Sequence, residues 1–309
     1  MNNNHTIKAV SAQTGLSPHL IRIWERRYKA VEPKRTETNR RVYSDNDINR
    51  LILLKKATML GESIGQIANL SEKDLIAIIQ KGTETIDASF TPVVASSTEN
   101  AEYHLNQCLK AVKNFDGPLL ESRLLNASVS LGQPNLMENV VHPLLLKIGE
   151  MWSSGEIKVA HEHLTSSIIR TLLGTMLFSN RTDDSAPRVV VATLRNQLHE
   201  FGALMAAVSA ISCGFRSIYL GCNMPAEDIV HAATESKVSA IAISIVYPPD
   251  DPNIHLELKK VRQLAGDKID IIVGGLSAKN YMNTINEINA YYVQNIAEFT
   301  ERLSLMRSN

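Results

Sequence analysis

The chain has 309 residues, enough for two or three domains at roughly 100–200 residues each. Its 32 basic and 32 acidic side chains cancel overall, but residues 1–60 hold twelve basic and five acidic groups, a net charge of +7. A hydrophobic content of 44% excludes a broadly disordered chain, and no apolar run reaches the roughly 18 residues of a membrane span. The uneven charge predicts a nucleic-acid-binding head on a body that does not bind nucleic acid.

The cysteines and the N-terminus bear on the compartment. Cys108, Cys213 and Cys222 are widely spaced, and they form neither a disulfide framework nor a zinc pattern. The first residues contain no apolar signal region. We therefore expect a cytoplasmic protein with reduced thiols.

The beginning of the chain predicts a pair of helices joined by a tight turn. A short helix over 6–13 is followed by a turn at Gly15. Ser17 is a good N-cap and Pro18 occupies the first position of a second helix that runs to about Tyr28. Helix, glycine-containing turn and helix form the helix-turn-helix pattern.

The next segments complete a small, mostly helical domain. The polar, basic stretch 32–43 has few apolar residues and is typical of an exposed β-hairpin or wing. Ser44 begins a capping box that opens a helix ending near Leu60. Two further short helices are expected over 63–70 and 71–80, the latter opened by a second capping box.

The rest of the chain divides into a Thr- and Ser-rich linker, a helical part and an α/β part. Helical periodicity with three breaks predicts a four-helix bundle. Apolar β-branched runs that alternate with amphipathic helices then predict a doubly wound parallel sheet. The predicted strands cover 188–194, 217–221, 240–246 and 269–274. The predicted domains are 1–80 for the helix-turn-helix, 81–98 for the linker, 99–182 for the bundle and 183–309 for the α/β domain.

Basic side chains on the second helix and the wing are the candidate DNA contacts. Arg22 and Arg26 lie four residues apart and share one helix face. Arginine there can bind guanine edges or clamp phosphates while the wing contacts the backbone. A solvated basic helix packed by Trp24 and Tyr28 is the alternative, and the order of turn, helix and wing favours DNA binding. The predicted DNA-binding residues are Arg22, Arg26, Arg27, Lys34, Arg35, Arg40, Arg41 and Tyr43.

Residues 6–70 resemble the winged helix-turn-helix of the MerR family of transcription regulators. The resemblance rests on Ile7, Leu16-Ser17, Arg22–Tyr28, Pro33, Arg35, Arg40-Arg41 and Tyr43-Ser44. It implies promoter DNA as a partner, bound by a dimer at a palindromic element. MerR proteins ordinarily continue into a long dimerisation coiled coil, whereas here the helical continuation is short. We therefore expect dimerisation to come from elsewhere in the chain.

A second set of candidate residues follows the strands of the predicted α/β domain. They are His199 and Gly202 after the first strand, Ser244 and Val246 at the end of the third, and Gly274 and Gly275 at the end of the fourth. Open α/β sheets bind ligands at the carboxyl ends of their strands. An imidazole can ligate a metal, and a small serine with paired glycines leaves a channel for a long ligand tail. A lone histidine before a helix is usually a loop residue, but three such signals at compatible spacing indicate a binding site.

This set resembles the cobalamin-binding domain of methionine synthase and the mutases, which carries DxHxxG, SxL and GG motifs. The resemblance implies that His199 is the lower ligand of cobalt. It also implies that Gly202 admits the corrin and that Ser244 and Gly274-Gly275 line a channel for the cofactor tail.

The predicted bundle adds a third set. Trp152 ends one helix and could roof a flat macrocycle, while Glu162 and His163 lie on the next helix, where a carboxylate could accept a hydrogen bond from an upper ligand. A packed core tryptophan and a surface Glu-His pair are the alternative. Bundle and α/β domain together resemble the cap and base of the cobalamin-dependent carotenoid-gene repressors of the CarA, CarH and LitR type, which carry W-x9-EH. Val159 matches their apolar residue over the corrin, and the implied cofactor is adenosylcobalamin or methylcobalamin.

Three positions depart from these families. Gln197 stands where a carboxylate normally orients the histidine, which implies weaker cobalt ligation, and Val246 replaces leucine conservatively. Light-sensing members often carry a histidine directly after the tryptophan, where this chain has Ser153. A serine hydroxyl stays protonated and ligates cobalt poorly. We therefore expect a response to cobalamin more than to light, unless a helix shift brings in His163 as the substitute.

The resemblance covers nearly the whole chain and implies a cobalamin-responsive MerR-type transcription regulator that is not an enzyme. We expect a repressor whose oligomeric state, dimer or tetramer, and DNA binding are set by bound cobalamin, with light sensing left open. Two alternatives also stay open. One is a MerR-type regulator whose cobalamin fold is vestigial or reads another ligand. The other is a corrinoid carrier protein in methyl transfer, against which the DNA-binding head argues.

Overall fold

The computed structural model of the chain describes residues 5–16, 18–36, 39–59, 62, 64–84, 97–179, 183 and 185–308. The chain forms two compact units, Met1–Ile169 and Arg170–Asn309, and the boundary falls inside a long helix. Within the described ranges, no helix has the length and apolar character needed to cross a membrane.

The N-terminal head of the first unit is a set of short helices with a two-stranded wing. Its elements are α1 (Ile7–Thr14), α2 (Pro18–Tyr28), β1 (Lys34–Arg35), β2 (Arg41–Val42), α3 (Asp45–Met59), α4 (Ile64–Ile67) and α5 (Glu72–Glu84). Thr6 caps α1, and Gly15 ends it with a left-handed φ of 64°. Because glycine adopts this conformation without steric cost, the turn between α1 and α2 forms where the sequence predicts it. Ser17, the predicted N-cap of α2, lies outside the described residues.

The wing packs on the head through its base. Strands β1 and β2 pair antiparallel, and a further bridge joins His5 to Tyr43 through hydrogen bonds of 2.8 and 2.9 Å. Trp24 of α2, Leu51 of α3 and Tyr43 are all buried in the core of the head. The winged helix-turn-helix predicted from the sequence is confirmed.

Both predicted capping boxes form. The backbone N–H and hydroxyl of Ser44 donate to Asp47 at 2.7 and 2.8 Å, and Asp47 N donates back to Ser44 Oγ at 3.2 Å. Ser71 and Asp74 make the equivalent pair at 2.6 and 3.2 Å. Each box satisfies N–H groups that a helix leaves unpaired at its start, which fixes the first residues of α3 and α5.

The bundle consists of four helices, as predicted, with one difference in how they are joined. Its helices are α6 (Ser97–Lys113), α7 (Gly117–Leu136), α8 (His142–Ser153) and α9 (Val159–Ser179). The expected break near Gly132 is a kink inside α7, where Gly132 has φ 73° and ψ 168° and Pro134 follows within the helix. A turn of π-helix at Met137–Val141 then leads directly into α8. Proline tolerates the restart of a helix after a kink because it needs no hydrogen bond from its own nitrogen there.

The predicted linker is shorter than expected at both ends. Helix α5 runs to Glu84 and α6 begins at Ser97, so the outermost residues of the predicted 81–98 segment are helical. The remaining residues, 85–96, lie outside the part of the chain that the structure describes.

The second unit is built around a parallel sheet. Its elements are β3 (Arg188–Leu194), α10 (Phe201–Ser212), β4 (Arg216–Met224), α11 (Ala226–Glu235), β5 (Ala240–Ser244), α12 (Asn253–Ala265), β6 (Asp270–Gly274), a 3-10 turn (Ala278–Tyr281), α13 (Met282–Glu287), β7 (Tyr291–Tyr292) and α14 (Ile296–Ser308). The strand order is β4-β3-β5-β6-β7, and every pair is parallel. Four strands match the predicted ones, whereas β7 was not predicted because two residues give no periodic signal.

The order of the strands creates a place for a ligand. The chain leaves β3 toward β4 on one side of the sheet and returns to β5 on the other side, so the strand order reverses between β3 and β5. Open α/β sheets bind ligands outside the carboxyl ends of the strands at such a reversal. Beneath this edge Val190, Ile241 and Ile271 are completely buried in one apolar cluster, which makes the edge rigid.

Candidate functional site

The basic face of the head is formed by α2 and the wing. Arg26, Lys34, Arg35 and Arg40 are exposed, and Arg22 is partly buried. The side chain of Arg35 donates to the Asn39 amide oxygen at 2.7 Å across the tip of the wing. Four predicted DNA contacts therefore lie on the accessible surface of the head.

Two other predicted DNA contacts are tied to α2. Arg41 Nε donates to both carboxylate oxygens of Glu25 at 2.8 Å, and the Tyr43 hydroxyl donates to the same carboxylate at 3.3 Å. Tyr43 is fully buried, and its burial and the neighbouring Glu25 raise its pKa. The prediction that Tyr43 contacts DNA is therefore wrong, because its ring fills the core under the wing. Glu25 and Arg41 fix the angle between the wing and α2.

Arg27, a further predicted DNA contact, has a partner in the bundle. Its guanidinium forms an ion pair with the Glu121 carboxylate on α7. Both residues belong to the first compact unit. A phosphate that approached Arg27 would compete with this carboxylate.

At the carboxyl edge of the sheet, two of the predicted ligand-binding residues touch. Gly202 lies in the first turn of α10 and Ser244 ends β5. A methyl group at Gly202 would lie 2.5 Å from Ser244 Oγ and 3.8 Å from Val246 Cγ2. Only glycine therefore permits this approach of α10 to the end of β5, and the structure brings Gly202, Ser244 and Val246 together.

The Ser244 hydroxyl is the polar group of this edge whose bonding is incomplete. The residue is buried, and no group among the described residues hydrogen bonds to its Oγ. A buried hydroxyl without a partner costs about 1–3 kcal/mol. A ligand that offers a hydrogen-bonding group beside Ser244 would recover that cost.

The paired glycines lie against the backbone of the neighbouring strand. Gly275 has φ 102°, and a methyl group there would lie 2.5 Å from the Ile245 carbonyl oxygen and 2.8 Å from its nitrogen. At Gly274 a methyl group would lie 2.9 Å from Val293 Cγ2. Both positions require glycine because backbone and side-chain atoms already occupy the space.

His199 is exposed on the loop that follows β3, so its imidazole is accessible to a ligand. Its ring lies edge-to-face against Tyr247, with centroids 5.5 Å apart. The neighbouring Glu200 accepts hydrogen bonds from the Tyr219 hydroxyl at 2.6 Å and from Arg170 Nε at 2.5 Å. Desolvation acts to raise the pKa of Glu200, but these hydrogen bonds and the Arg170 charge outweigh it and lower the pKa. The ionised carboxylate therefore holds the His199 loop against β4.

Gln197 is directed at the loop after β5. Its side-chain oxygen accepts from the backbone N–H groups of Val246 and Tyr247 at 2.9 and 3.0 Å, and its NH₂ donates to the Pro248 carbonyl at 3.3 Å. The residue is completely buried. Both ends of its amide are used to hold this loop.

Three large apolar side chains at the same edge were not predicted. Leu198 is 65% exposed, Tyr247 60% and Leu276 70%. Each is next in sequence to a predicted site residue, and this adjacency was the available signal. Exposed apolar groups at this edge suit a flat, largely apolar ligand.

The predicted bundle residues lie around the turn between α8 and α9. Trp152 is 52% exposed and Val159 51%, so the alternative of a packed core tryptophan is wrong. Glu162 accepts from the Ser166 hydroxyl at 2.6 Å and lies 2.6 Å from His163 Nδ1. The Ser153 hydroxyl donates to the Glu150 carbonyl at 2.9 Å.

The chain matches three models of protein families, in the order head, bundle and sheet. Residues 5–74 match the MerR HTH family regulatory protein, and residues 104–176 and 187–301 each match a B12 binding domain. The chain is therefore a MerR-type transcription regulator that carries a cobalamin-binding module, as the sequence predicted.

Two relatives share nearly its whole length. The chain is 28% identical over 290 residues to the HTH-type transcriptional repressor CarH of Myxococcus xanthus, covering 94% of this chain and 95% of that one. It is 24% identical over 293 residues to CarA of the same organism, covering 94% and 93%. Among solved structures, the monomethylamine corrinoid protein of Methanosarcina barkeri is 13% identical with a TM-score of 0.55, covers 66% of this chain and 99% of its own, and shares the fold.

The close approach at Gly275 predicts that alanine costs more stability there than at Gly221, although both glycines have a positive φ. Gly275→Ala should lower the free energy of local opening of β6 by about 1–3 kcal/mol beyond backbone strain, since the new methyl group overlaps Ile245. Gly221→Ala is the matched control, because Gly221 has φ 91° with nothing within 4 Å and should show only the roughly 1–2 kcal/mol of strain in its own strand. Hydrogen exchange of the strand peptides measures both losses. If the two variants lost the same free energy, the Ile245 backbone would have moved to accommodate the new methyl group at no cost.

Proposed function

We propose that this protein is a repressor that binds promoter DNA through its head and whose oligomeric state and DNA affinity are set by bound cobalamin. The observation that carries the proposal is the buried, unpartnered Ser244 hydroxyl beside Gly202, on the sheet edge that also bears the exposed His199. The similarity to repressors over 94% of the chain supports it. The exposed basic face of the head supplies the DNA-binding surface.

The residues of the sheet edge fit the cofactor. An imidazole nitrogen of His199 would ligate cobalt, and Gly202 would permit the close approach of α10 to Ser244 at the end of β5. Ser244 and Gly274-Gly275 would line the passage for the cofactor tail, with the Ser244 hydroxyl gaining its missing partner. When bound, cobalamin supplies a cobalt centre with an exchangeable upper ligand, an adenosyl or methyl group.

In the bundle, the proposed cofactor contacts are Trp152, Val159, Glu162 and His163. Trp152 and Val159 expose apolar surface that a corrin ring could cover. Glu162 keeps a carboxylate close to the surface of α9. A ligand that prefers one arrangement of a protein shifts the population toward it, and we propose that cobalamin selects a dimer or tetramer in this way.

On the DNA side, Arg26→Ala should weaken binding to the promoter element by about 1–3 kcal/mol if the side chain reads a base. Wild-type affinity should also fall steeply with salt, because phosphate contacts release counterions. Lys237→Ala, which removes an exposed cation from the α/β unit, is the matched control and should bind as wild type does. Fluorescence anisotropy over a salt series measures all three proteins. Unchanged affinity in an Arg22→Ala, Arg26→Ala double variant would exclude this surface.

On the cofactor side, the wild-type protein should retain cobalamin through gel filtration. His199→Ala should alter the visible spectrum of the bound cofactor and speed its loss, because the lower ligand is removed. His231→Ala, an exposed histidine on α11, serves as the control and should leave the spectrum unchanged. A wild-type protein that elutes free of corrinoid would support a vestigial cobalamin fold instead.

The response to light should be weak. A lasting response needs a group that traps cobalt once the adenosyl group has left, and the Ser153 hydroxyl is a poor ligand already bonded to Glu150. The adenosylcobalamin complex should therefore show the same oligomer by gel filtration in the dark and after illumination. Ser153→His should gain a lasting, light-dependent change. A stable light-induced oligomer change in the wild type, with a bis-histidine cobalt spectrum, would contradict this and identify His163 as the trap.

A further inference from the structure

Tyr247 is a large aromatic residue in an exposed position. Its side chain is 60% exposed. The covered part of the ring lies against His199, with an interplanar angle of 65° and centroids 5.5 Å apart. This geometry is within the range of favourable edge-to-face aromatic pairs.

The loop that carries Tyr247 is held in place by two side chains. The Gln197 side chain accepts hydrogen bonds from the backbone N–H groups of Val246 and Tyr247 and donates one to the carbonyl of Pro248. The Ser277 hydroxyl also donates to the Val246 carbonyl at 2.6 Å. The backbone of the Tyr247 loop is thus held by three hydrogen bonds to the buried Gln197 side chain and by one to the buried Ser277 hydroxyl.

Gln197 is itself anchored to the sheet. Its backbone carbonyl accepts hydrogen bonds from the Thr193 hydroxyl and from Asn223 N, the latter at 3.2 Å. Thr193 is in β3 and Asn223 in β4, so the glutamine connects two strands with the loop after a third. The position of the Tyr247 backbone is therefore set by the sheet.

We propose that Tyr247 is the positioning residue for His199, and that Gln197 acts on the histidine through Tyr247. The proposal rests on the proposed function, in which His199 ligates cobalt. A carboxylate at position 197 would orient an imidazole by a direct hydrogen bond, whereas the Gln197 amide has both its oxygen and its NH₂ engaged by the loop. The Tyr247 ring restricts the rotation of the imidazole by packing against it. The histidine is thus oriented by the shape of the neighbouring ring.

The test uses the full chain with methylcobalamin, in the dark. Tyr247→Ala should release methylcobalamin about 2- to 13-fold faster and lower the fraction of cofactor with the histidine-ligated spectrum. This range converts the roughly 0.5–1.5 kcal/mol of an aromatic pair at 1.36 kcal/mol per tenfold. Tyr247→Phe keeps the ring and should behave as wild type. Tyr103→Ala is the matched control, because Tyr103 is also more than half exposed and lies edge-to-face on His104 in the bundle.

A double-variant cycle tests the route through the loop. Gln197→Ala should also speed the release of methylcobalamin. The Gln197→Ala, Tyr247→Ala protein should release it no faster than the faster-releasing of the two single variants, because both changes remove the same packing of Tyr247 against His199. Fully additive effects would show that Gln197 does not act through Tyr247.

Cofactor-free protein gives an independent measurement. The ring-proton signals of His199, assigned by their loss in His199→Ala, should shift in Tyr247→Ala and stay in place in Tyr103→Ala. If wild type binds no cobalamin, the proposed function fails, and an unshifted His199 signal would then overturn the positioning role as well. If wild type binds cobalamin but Tyr247→Ala matches it in release rate, spectrum and His199 signal, the positioning role alone is overturned.

Discussion

Parallel pairing of β3, β5 and β6 is the constraint on which the candidate cobalamin site depends. Because the three strands run in the same direction, their carboxyl ends meet at one edge. Gly202 and Ser244, 42 positions apart, become neighbours there, as do Ser244 and Gly274, 30 positions apart. Ser244 pairs in register with Gly274, and Ile245 N donates to the Gly274 carbonyl at 2.9 Å. A slip of this register by one residue would turn Ser244 to the other face and separate it from Gly202.

The head depends on a smaller constraint of a similar kind. The Glu25 carboxylate accepts hydrogen bonds from Arg41 and Tyr43, so one partly buried carboxylate fixes both the wing and the end of its second strand relative to α2. The exposed cations Arg26, Lys34 and Arg40 are then presented on the two elements. Arg41, which pairs with Glu25, is thus distinguished from the exposed arginines by its partner, although their sequence context is the same.

That distinction shows where prediction from the sequence succeeds and where it stops. The apolar runs of the strands and the glycines at their ends give strong local signals, and these predicted the sheet edge and its residues. Tyr43 was assigned to DNA because it follows two arginines, but its burial is decided by a bridge to His5, 38 positions earlier, which no local pattern records. Tyr247 was not predicted, because its local sequence marks only an aromatic residue in a loop. Its contact with His199 arises only when the fold brings the two loops together.

The glycine pair at the end of β6 has a consequence for how sequence variation in such chains is interpreted. Gly275 is required by the Ile245 backbone whether or not a ligand is present, so selection for folding alone would preserve it. The Ser244 hydroxyl, in contrast, contributes no hydrogen bond to the described protein, and a chain that had lost its ligand could replace it with alanine and become more stable. A descendant that had ceased to use cobalamin would therefore keep its paired glycines long after its serine had drifted. In sequences of this kind the retained serine is the better record of a ligand still in use.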